Sequence, residues 1–272
     1  MPELPEVETI ARGLAPLIVG RRFTDLTVLD SRVFPGDQAA FRRDILDREI
    51  MRVFRRAKLL IVELADGARV AFHLKMTGRV FVAEPVTPPH KHLRVLLGLD
   101  GGRALHFQDM RRFGACRGFA SGAMDNWAFY AGLGPEPLTL SPQDFASDLA
   151  GRSGRIKALL LDQRFVRGVG NIYADEALFR AGIHPMAIAC RLRGERPRRL
   201  YESLRAVLTE AIAAGGSSIS DYVDAQGRKG FFQFSHRVYQ RTGEPCVTCG
   251  APIRRVLVTQ RSSHFCPQCQ RR

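Results

Sequence analysis

Residues 246–269 read CVTCGAPIRRVLVTQRSSHFCPQC. Two CxxC knuckles separated by sixteen residues bring together the thiolates of Cys246, Cys249, Cys266 and Cys269. Four thiolates in a tetrahedron leave no coordination position open for water, so one structural Zn²⁺ per chain is expected. A redox pair or an iron–sulfur site is the alternative for such a cluster. The residues between the knuckles alternate well enough for a β-hairpin, with Arg254, Arg255 and Arg261 at its tip and edges. The metal would then hold cations against phosphates, unless the hairpin is simply a solvated charged surface. Cys116 and Cys190 stand alone, and in a reducing compartment the terminal cluster means metal rather than disulfides.

Upstream of the knuckles, residues 215–234 are rich in glycine, serine and charge and read as a mobile loop. Helices are indicated at 196–214, 171–181 and 154–163. Ser141-Pro142-Gln143-Asp144 combines an N-cap, a first-turn proline and an acid, opening a helix to about Ala150. The breaker cluster from Gly132 to Pro137 marks a domain boundary. Before it, residues 22–120 are short Val, Leu, Ile and Phe runs punctuated by turns such as Ala65-Asp66-Gly67 and Asp100-Gly101-Gly102, which predicts a β-sandwich with one helical interruption at Gln38–Leu46. Val7, Ile10, Leu14 and Leu17 recur at helical spacing, so a helix over 5–18, closed by Gly20, precedes the sandwich.

The 272 residues are 45% hydrophobic, enough for real cores, and 41 Lys and Arg against 27 Asp and Glu give a net charge of +14. A polyanion is the expected partner. The chain has no apolar run of the roughly eighteen residues that a membrane span needs, and its acidic start lacks a basic-then-apolar export pattern. A reducing cytoplasm is therefore expected.

The chemistry concentrates at the start, Met1-Pro2-Glu3-Leu4-Pro5-Glu6. With Met1 removed, Pro2 offers a secondary amine that no internal residue can supply, and its adduct with a carbonyl-like carbon is a charged iminium that acts as an electron sink. Glu3 and Glu6, within one helical turn, can move protons. A plain helix start explains the same residues, since Pro and acids suit the first turn. Gly168-Val169-Gly170-Asn171 sets two glycines before a helix, where exposed amides can hold a phosphate or the chain simply turns tightly. Arg55-Arg56-Ala57-Lys58 and His73-Leu74-Lys75-Met76-Thr77-Gly78 place cations and an imidazole at strand ends. In Gln108–Gly114, arginines stand beside Phe113: Arg can read a base edge and Phe or Met can wedge between bases, or else Phe113 is core and the arginines are surface.

Together these stretches resemble the formamidopyrimidine-DNA glycosylase family, essentially end to end: PELPEVET, RAK, HLKMTG, RRFGA, LGPEPL, GVGNIYADEALF and GEPC before the paired knuckles. The resemblance implies an α+β chain. An N-terminal β-sandwich with its helix spans 1–134, a helical helix-two-turn-helix domain 135–235 and the zinc-finger β-hairpin 236–272, with DNA in the cleft between. It further implies a bifunctional DNA glycosylase and AP lyase of base excision repair, excising 8-oxoguanine and formamidopyrimidines and cutting the strand by β,δ-elimination. The partner would be double-stranded DNA carrying a damaged base or abasic site, bound by a monomer in a bacterial cytoplasm at the nucleoid.

By position, Pro2 matches the family's nucleophile and Glu3 its acid. Lys58 matches a phosphate-contacting lysine that assists β-elimination. His73, Asn171 and Arg261 match phosphate contacts, Arg261 being linked also to δ-elimination. Met76, Arg111 and Phe113 match the residues that fill the gap left by an extruded base; His92 and Arg111 match further DNA contacts, and Arg152 falls where the family often has a lysine. Lys75 departs from a usual glycine, Met110 from a usual proline, and the stretch Asp224–Gly230 is only partly family-like. Two rivals remain open: a zinc DNA-binding protein without catalysis, and the related endonuclease-eight type acting on oxidised pyrimidines, whose usual PEGPE opening Leu4 argues against.

Overall fold

The computed structural model describes residues 1–85, 88–218 and 222–272. The chain forms two compact units, Met1–Gly132 with Ala214–Phe231, and Leu133–Ala213 with Phe232–Arg272. Residues 219–221 of the loop read at 215–234 lie outside the described residues.

The first unit begins with helix α1 (Leu4–Ile18), one side of which, Leu4, Val7, Ile10, Ala11, Leu14 and Ile18, is buried. Burying each of the larger aliphatic side chains contributes about 2 kcal/mol. Val19 turns extended and Gly20 takes φ +80°, which ends the helix. There follow β1 (Phe23–Val28), α2 (Gln38–Ile45), β2 (Ile50–Arg56), β3 (Leu59–Leu64), β4 (Arg69–His73), β5 (Gly78–Ala83), β6 (Leu93–Leu99), β7 (Ala104–Asp109), β8 (Ala115–Phe119) and the short α3 (Ala128–Ala131).

These strands make two four-stranded antiparallel sheets in the orders β1-β6-β7-β5 and β2-β3-β4-β8. Leu60, Val62 and Phe72 of one sheet share a core with Val80, Val95, Leu97 and Phe107 of the other, Phe72 meeting Phe107 edge-on at 5.6 Å between ring centres. That is the expected sandwich. Arg55 and Arg56 complete β2, and a two-residue turn, Ala57-Lys58, joins it to β3, so these cations do stand at strand ends.

The second unit carries α4 (Pro142–Ala150), α5 (Ile156–Leu161), α6 (Asn171–Arg180), α7 (Arg196–Ala213), β9 (Arg254–Val258) and β10 (Arg261–Phe265). Ser141 caps α4 by accepting the Asp144 amide at 3.0 Å. Helix α6 is buried from Ile172 to Phe179, packed on α5, α7 and β10, which is why its sequence shows little amphipathic contrast. Strands β9 and β10 pair antiparallel as the terminal hairpin. No helix of the described residues is long and apolar enough to cross a membrane.

Candidate active site and nucleic-acid interface

Pro2 and Glu3 stand at the head of α1, and Glu3 and Glu6 are only 2% and 1% exposed. Glu3 is the N-cap, and it and Glu6 form a reciprocal capping box, the Glu3 amide donating to Glu6 Oε2 at 2.8 Å. Glu6 Oε1 also accepts the Ser217 amide at 2.8 Å, and the Tyr222 hydroxyl lies 3.3 Å from the Glu6 carbonyl oxygen. Burial and the Glu6 charge push the Tyr222 phenol up, so it stays protonated. Gly216 lets Glu6 fit: its φ is +83°, and a Cβ there would stand 3.0 Å from both Cγ and Oε1 of Glu6. The turn from Asp224 to Arg228 is closed by Asp224, which accepts the Gln226 and Arg228 amides at 2.9 Å, and Gln226 Nε2 reaches the Gly13 carbonyl of α1 at 2.9 Å.

Sheet register unites the next residues. Leu59 pairs with His73, so Lys58 and His73 come together at one end of β3 and β4. Lys58 is only 9% exposed. Burial first, then the charges of Lys75 and Lys58, drives the His73 imidazole down to about 3. Its Nδ1 accepts the Lys75 amide at 3.2 Å, which leaves a neutral ring with its proton on Nε2.

The residues expected to fill the gap of an extruded base are exposed, Met76 at 41% and Phe113 at 56%, with the Arg111 guanidinium 4.8 Å above the Phe113 ring. Phe113 is therefore not core. Asp109, wholly buried, joins their two loops. It accepts the Gly114 amide at 2.7 Å, the Arg111 amide at 3.2 Å and the Thr77 hydroxyl, while its own amide donates to the His92 carbonyl at 2.9 Å. A Cβ on Gly114 would meet Phe107 at 2.8 Å and the His73 carbonyl at 2.9 Å, so no side chain fits there. Sequence reasoning missed Asp109, Thr77, Gly216 and Ser217. Only Asp109 left a signal, as an acid two residues ahead of a turn amide.

In the second unit, Asn171 Nδ2 donates to the Ser262 carbonyl at 3.0 Å, and Asn171, Arg255, Gln260 and Arg261 line one cavity of about 660 Å³. Lys157, fully buried, pairs with Asp175 at 2.6 Å and donates to the same Ser262 carbonyl at 2.9 Å, and Asp175 accepts the His264 amide at 2.9 Å. This buried network fixes β10, and so Arg261, against α5 and α6. In the glycine turn Gly168, Val169 and Gly170 are buried, and the Gly168 amide donates to Gln163 Oε1 at 2.8 Å, so that amide is engaged within the turn. Arg152 is exposed between α4 and α5 and does not line the Asn171 cavity.

Non-glycine residues with positive φ crowd these loops: Ala57 beside Lys58, Lys75 beside Met76, Arg112 between Arg111 and Phe113, and Thr259 and Gln260 before Arg261. Such backbone costs roughly 1–3 kcal/mol per residue and persists where the surroundings enforce it.

The four cysteine sulfurs lie within 4.8 Å of one another, with Cys246 and Cys269 at 3.9 Å and Cys249 and Cys266 at 3.4 Å. A zinc with bonds of ~2.3 Å needs tetrahedral edges of roughly 3.8 Å, and these sulfurs fit it. The Thr248 and Cys269 amides point at Cys246 and Cys266 Sγ, each at 3.4 Å, as knuckle turns require.

Family models match the chain in sequence order: the formamidopyrimidine-DNA glycosylase N-terminal domain over residues 1–116, the formamidopyrimidine-DNA glycosylase H2TH domain over 133–223, and the zinc finger found in FPG and IleRS over 243–272. A formamidopyrimidine-DNA glycosylase of Solibacter usitatus is 54% identical over 273 residues, covering 100% of both chains. The Lactococcus lactis Fpg solved in complex with DNA containing an abasic site superposes with a TM-score of 0.92 at 34% identity, covering 99% of this chain and 100% of that one. A MutM solved with DNA containing carbocyclic 8-oxo-G gives 0.91 at 34% identity, covering 100% of each. With all three family models matched in order and a relative 54% identical along the whole length, the chain belongs to the formamidopyrimidine-DNA glycosylase family.

Proposed function

We propose that the chain is a bifunctional DNA glycosylase and AP lyase of base excision repair that removes oxidised purines, 8-oxoguanine and formamidopyrimidines, from double-stranded DNA. The observation that carries this is the Glu3–Glu6 capping box, which holds two buried carboxylates at the residue next to the N-terminal proline. Residues 1–134 supply the chemistry and part of the grip on DNA, 135–235 and 236–272 the rest of the grip, with Ser217 of the 215–234 loop positioning Glu6. One chain acts on one duplex, in the bacterial cytoplasm at the nucleoid.

Extrusion of the damaged nucleotide costs a few kcal/mol, offset by the inserted Met76, Arg111 and Phe113 and by phosphate contacts from Lys58, His73, His92, Arg152, Asn171 and Arg261. The Pro2 amine then attacks the anomeric carbon as the base leaves. Glu3 moves protons between the base, the opening sugar oxygen and solvent. The attached nitrogen loses its proton, the bond from the anomeric carbon to the ring oxygen breaks as that oxygen takes a proton from Glu3, and the nitrogen lone pair closes to an iminium, which acidifies the adjacent sugar carbon. Loss of that proton expels the 3′ phosphate, and a second elimination, assisted by Arg261, expels the 5′ phosphate. Zinc, when bound, supplies only the rigidity of the hairpin that presents Arg261. Met1 must be removed first, because while it is attached the Pro2 nitrogen is a tertiary amide.

Excision of 8-oxoguanine opposite cytosine, compared with thymine glycol in the same duplex, tests the substrate class. Faster release of 8-oxoguanine, with nicking of abasic duplex, is expected; preference for thymine glycol overturns it.

A further inference from the structure

At the other end of α6 from Asn171, the second unit has a separate basic cavity. It encloses about 630 Å³, and its lining includes Arg180, Arg196, Arg199, Arg237, Arg271 and Arg272 but no acidic residue. The ten residues of α6 put its two ends about 15 Å apart, so this cavity and the one lined by Asn171 and Arg261 are distinct.

Two of the arginines are fixed. Arg196 donates through both terminal nitrogens to the backbone oxygens of Arg271 and Arg272, at 3.0 and 3.2 Å, and Arg199 donates through Nε to the Ala181 carbonyl at 2.9 Å. Arg180 pairs with Glu210 at 2.6 Å. Apart from Arg196, which bonds the terminal oxygen of Arg272, the remaining four have no carboxylate partner among the described residues. Burial and the neighbouring Arg199 push the Arg196 guanidinium down from its ordinary value, as expected where cations crowd without an anion. Solvated surface arginines repel one another and spread apart. Here backbone oxygens hold two of the six, Arg196 and Arg199, beside a concave space that the other, exposed arginines also line, so part of the site is preorganised for multidentate recognition of phosphate oxygens.

We propose that this cavity is a second phosphate-binding site, independent of the lesion site, that takes closely spaced phosphates, either of a free polyphosphate or of the backbone of a second nucleic-acid segment. Inorganic triphosphate is the probe. It is titrated calorimetrically into the zinc-loaded protein saturated with an abasic-analogue duplex, and into the Arg237→Glu/Arg271→Glu variant, whose altered side chains make no hydrogen bond or ion pair among the described residues. One triphosphate per duplex-loaded chain is expected, with at least tenfold weaker binding to the variant and unchanged nicking of abasic duplex. An unchanged melting temperature and zinc content confirm that the variant is folded. Absence of triphosphate binding, binding abolished by the first duplex, or equal binding by the variant overturns the proposal. A second, undamaged duplex that binds and is displaced by triphosphate identifies backbone as the source; triphosphate binding without it identifies a free polyphosphate. The Asn171→Ala/Arg261→Ala variant separates this site from the catalytic reading, since it should lose nicking and keep triphosphate.

Discussion

Asp109 accepts the amide of Gly114 at 2.7 Å from a wholly buried carboxylate. The same carboxylate holds Thr77 and the Arg111 amide, so Met76 on one loop and Arg111 and Phe113 on the other are set by a single anion.

Asp109→Ala leaves these donors buried without an acceptor, at about 1–3 kcal/mol each. The variant should melt several degrees lower and lose base excision by more than tenfold. Cleavage of a preformed abasic site should suffer less, because there is no intact base to extrude. Equal losses on both substrates would contradict a wedge role.

At Gly216 a methyl group would press on the Glu6 side chain at 3.0 Å. Gly216→Ala must move Glu6 and also meet strain at φ +83°, and we expect at least tenfold slower turnover on 8-oxoguanine duplex with DNA affinity within a few-fold of the parent. Turnover kinetics and equilibrium binding measured together decide it.

His73 stays neutral in the fold down to about 3 and His236 to about 4, both because of burial. Unfolded imidazoles take protons near 6.5. Between those limits the unfolded chain binds more protons, so stability is complete above about pH 6.5 and falls with acid, with a slope of up to ~1.4 kcal/mol per pH unit for each histidine. Urea unfolding from pH 7 to pH 4 should show this loss, and His73→Gln should reduce the slope. A slope unchanged by the substitution contradicts the assignment.

The Thr259-Gln260 turn, with φ of +46° and +60°, joins Val258 to Arg261. Asn-Gly suits such a turn far better. The variant Thr259→Asn/Gln260→Gly should hold zinc longer against a chelator and raise stability by about 1 kcal/mol or more, read from zinc release rates and thermal melting. Faster zinc release would show that the strain is absent.

Much of the architecture was legible in the sequence. The spacing of Val7, Ile10 and Leu14 marks α1, alternation marks the strands, and the cysteine spacing marks the hairpin. Local signals sufficed because each element's pattern is set by its own buried face. Glu6 and Ser217 could not be paired by reading, since nothing local to either reports a partner 211 positions away. The left-handed backbone at Lys75 and Arg112 was hidden for a different reason: neither residue type favours it, and only the packed loops impose it. Asp109 looked like a turn residue, and its burial, which makes it an organiser, is a tertiary fact.

In the proposed mechanism the nucleophile is the Pro2 amine. Borohydride reduction of the protein with abasic duplex, followed by peptide mapping, tests it on two preparations distinguished by mass: one with Met1 removed and one retaining it. A single covalent adduct on the Pro2 peptide of the processed chain is expected, and none on the other. Equal trapping by both preparations, or an adduct on Lys58, would contradict it.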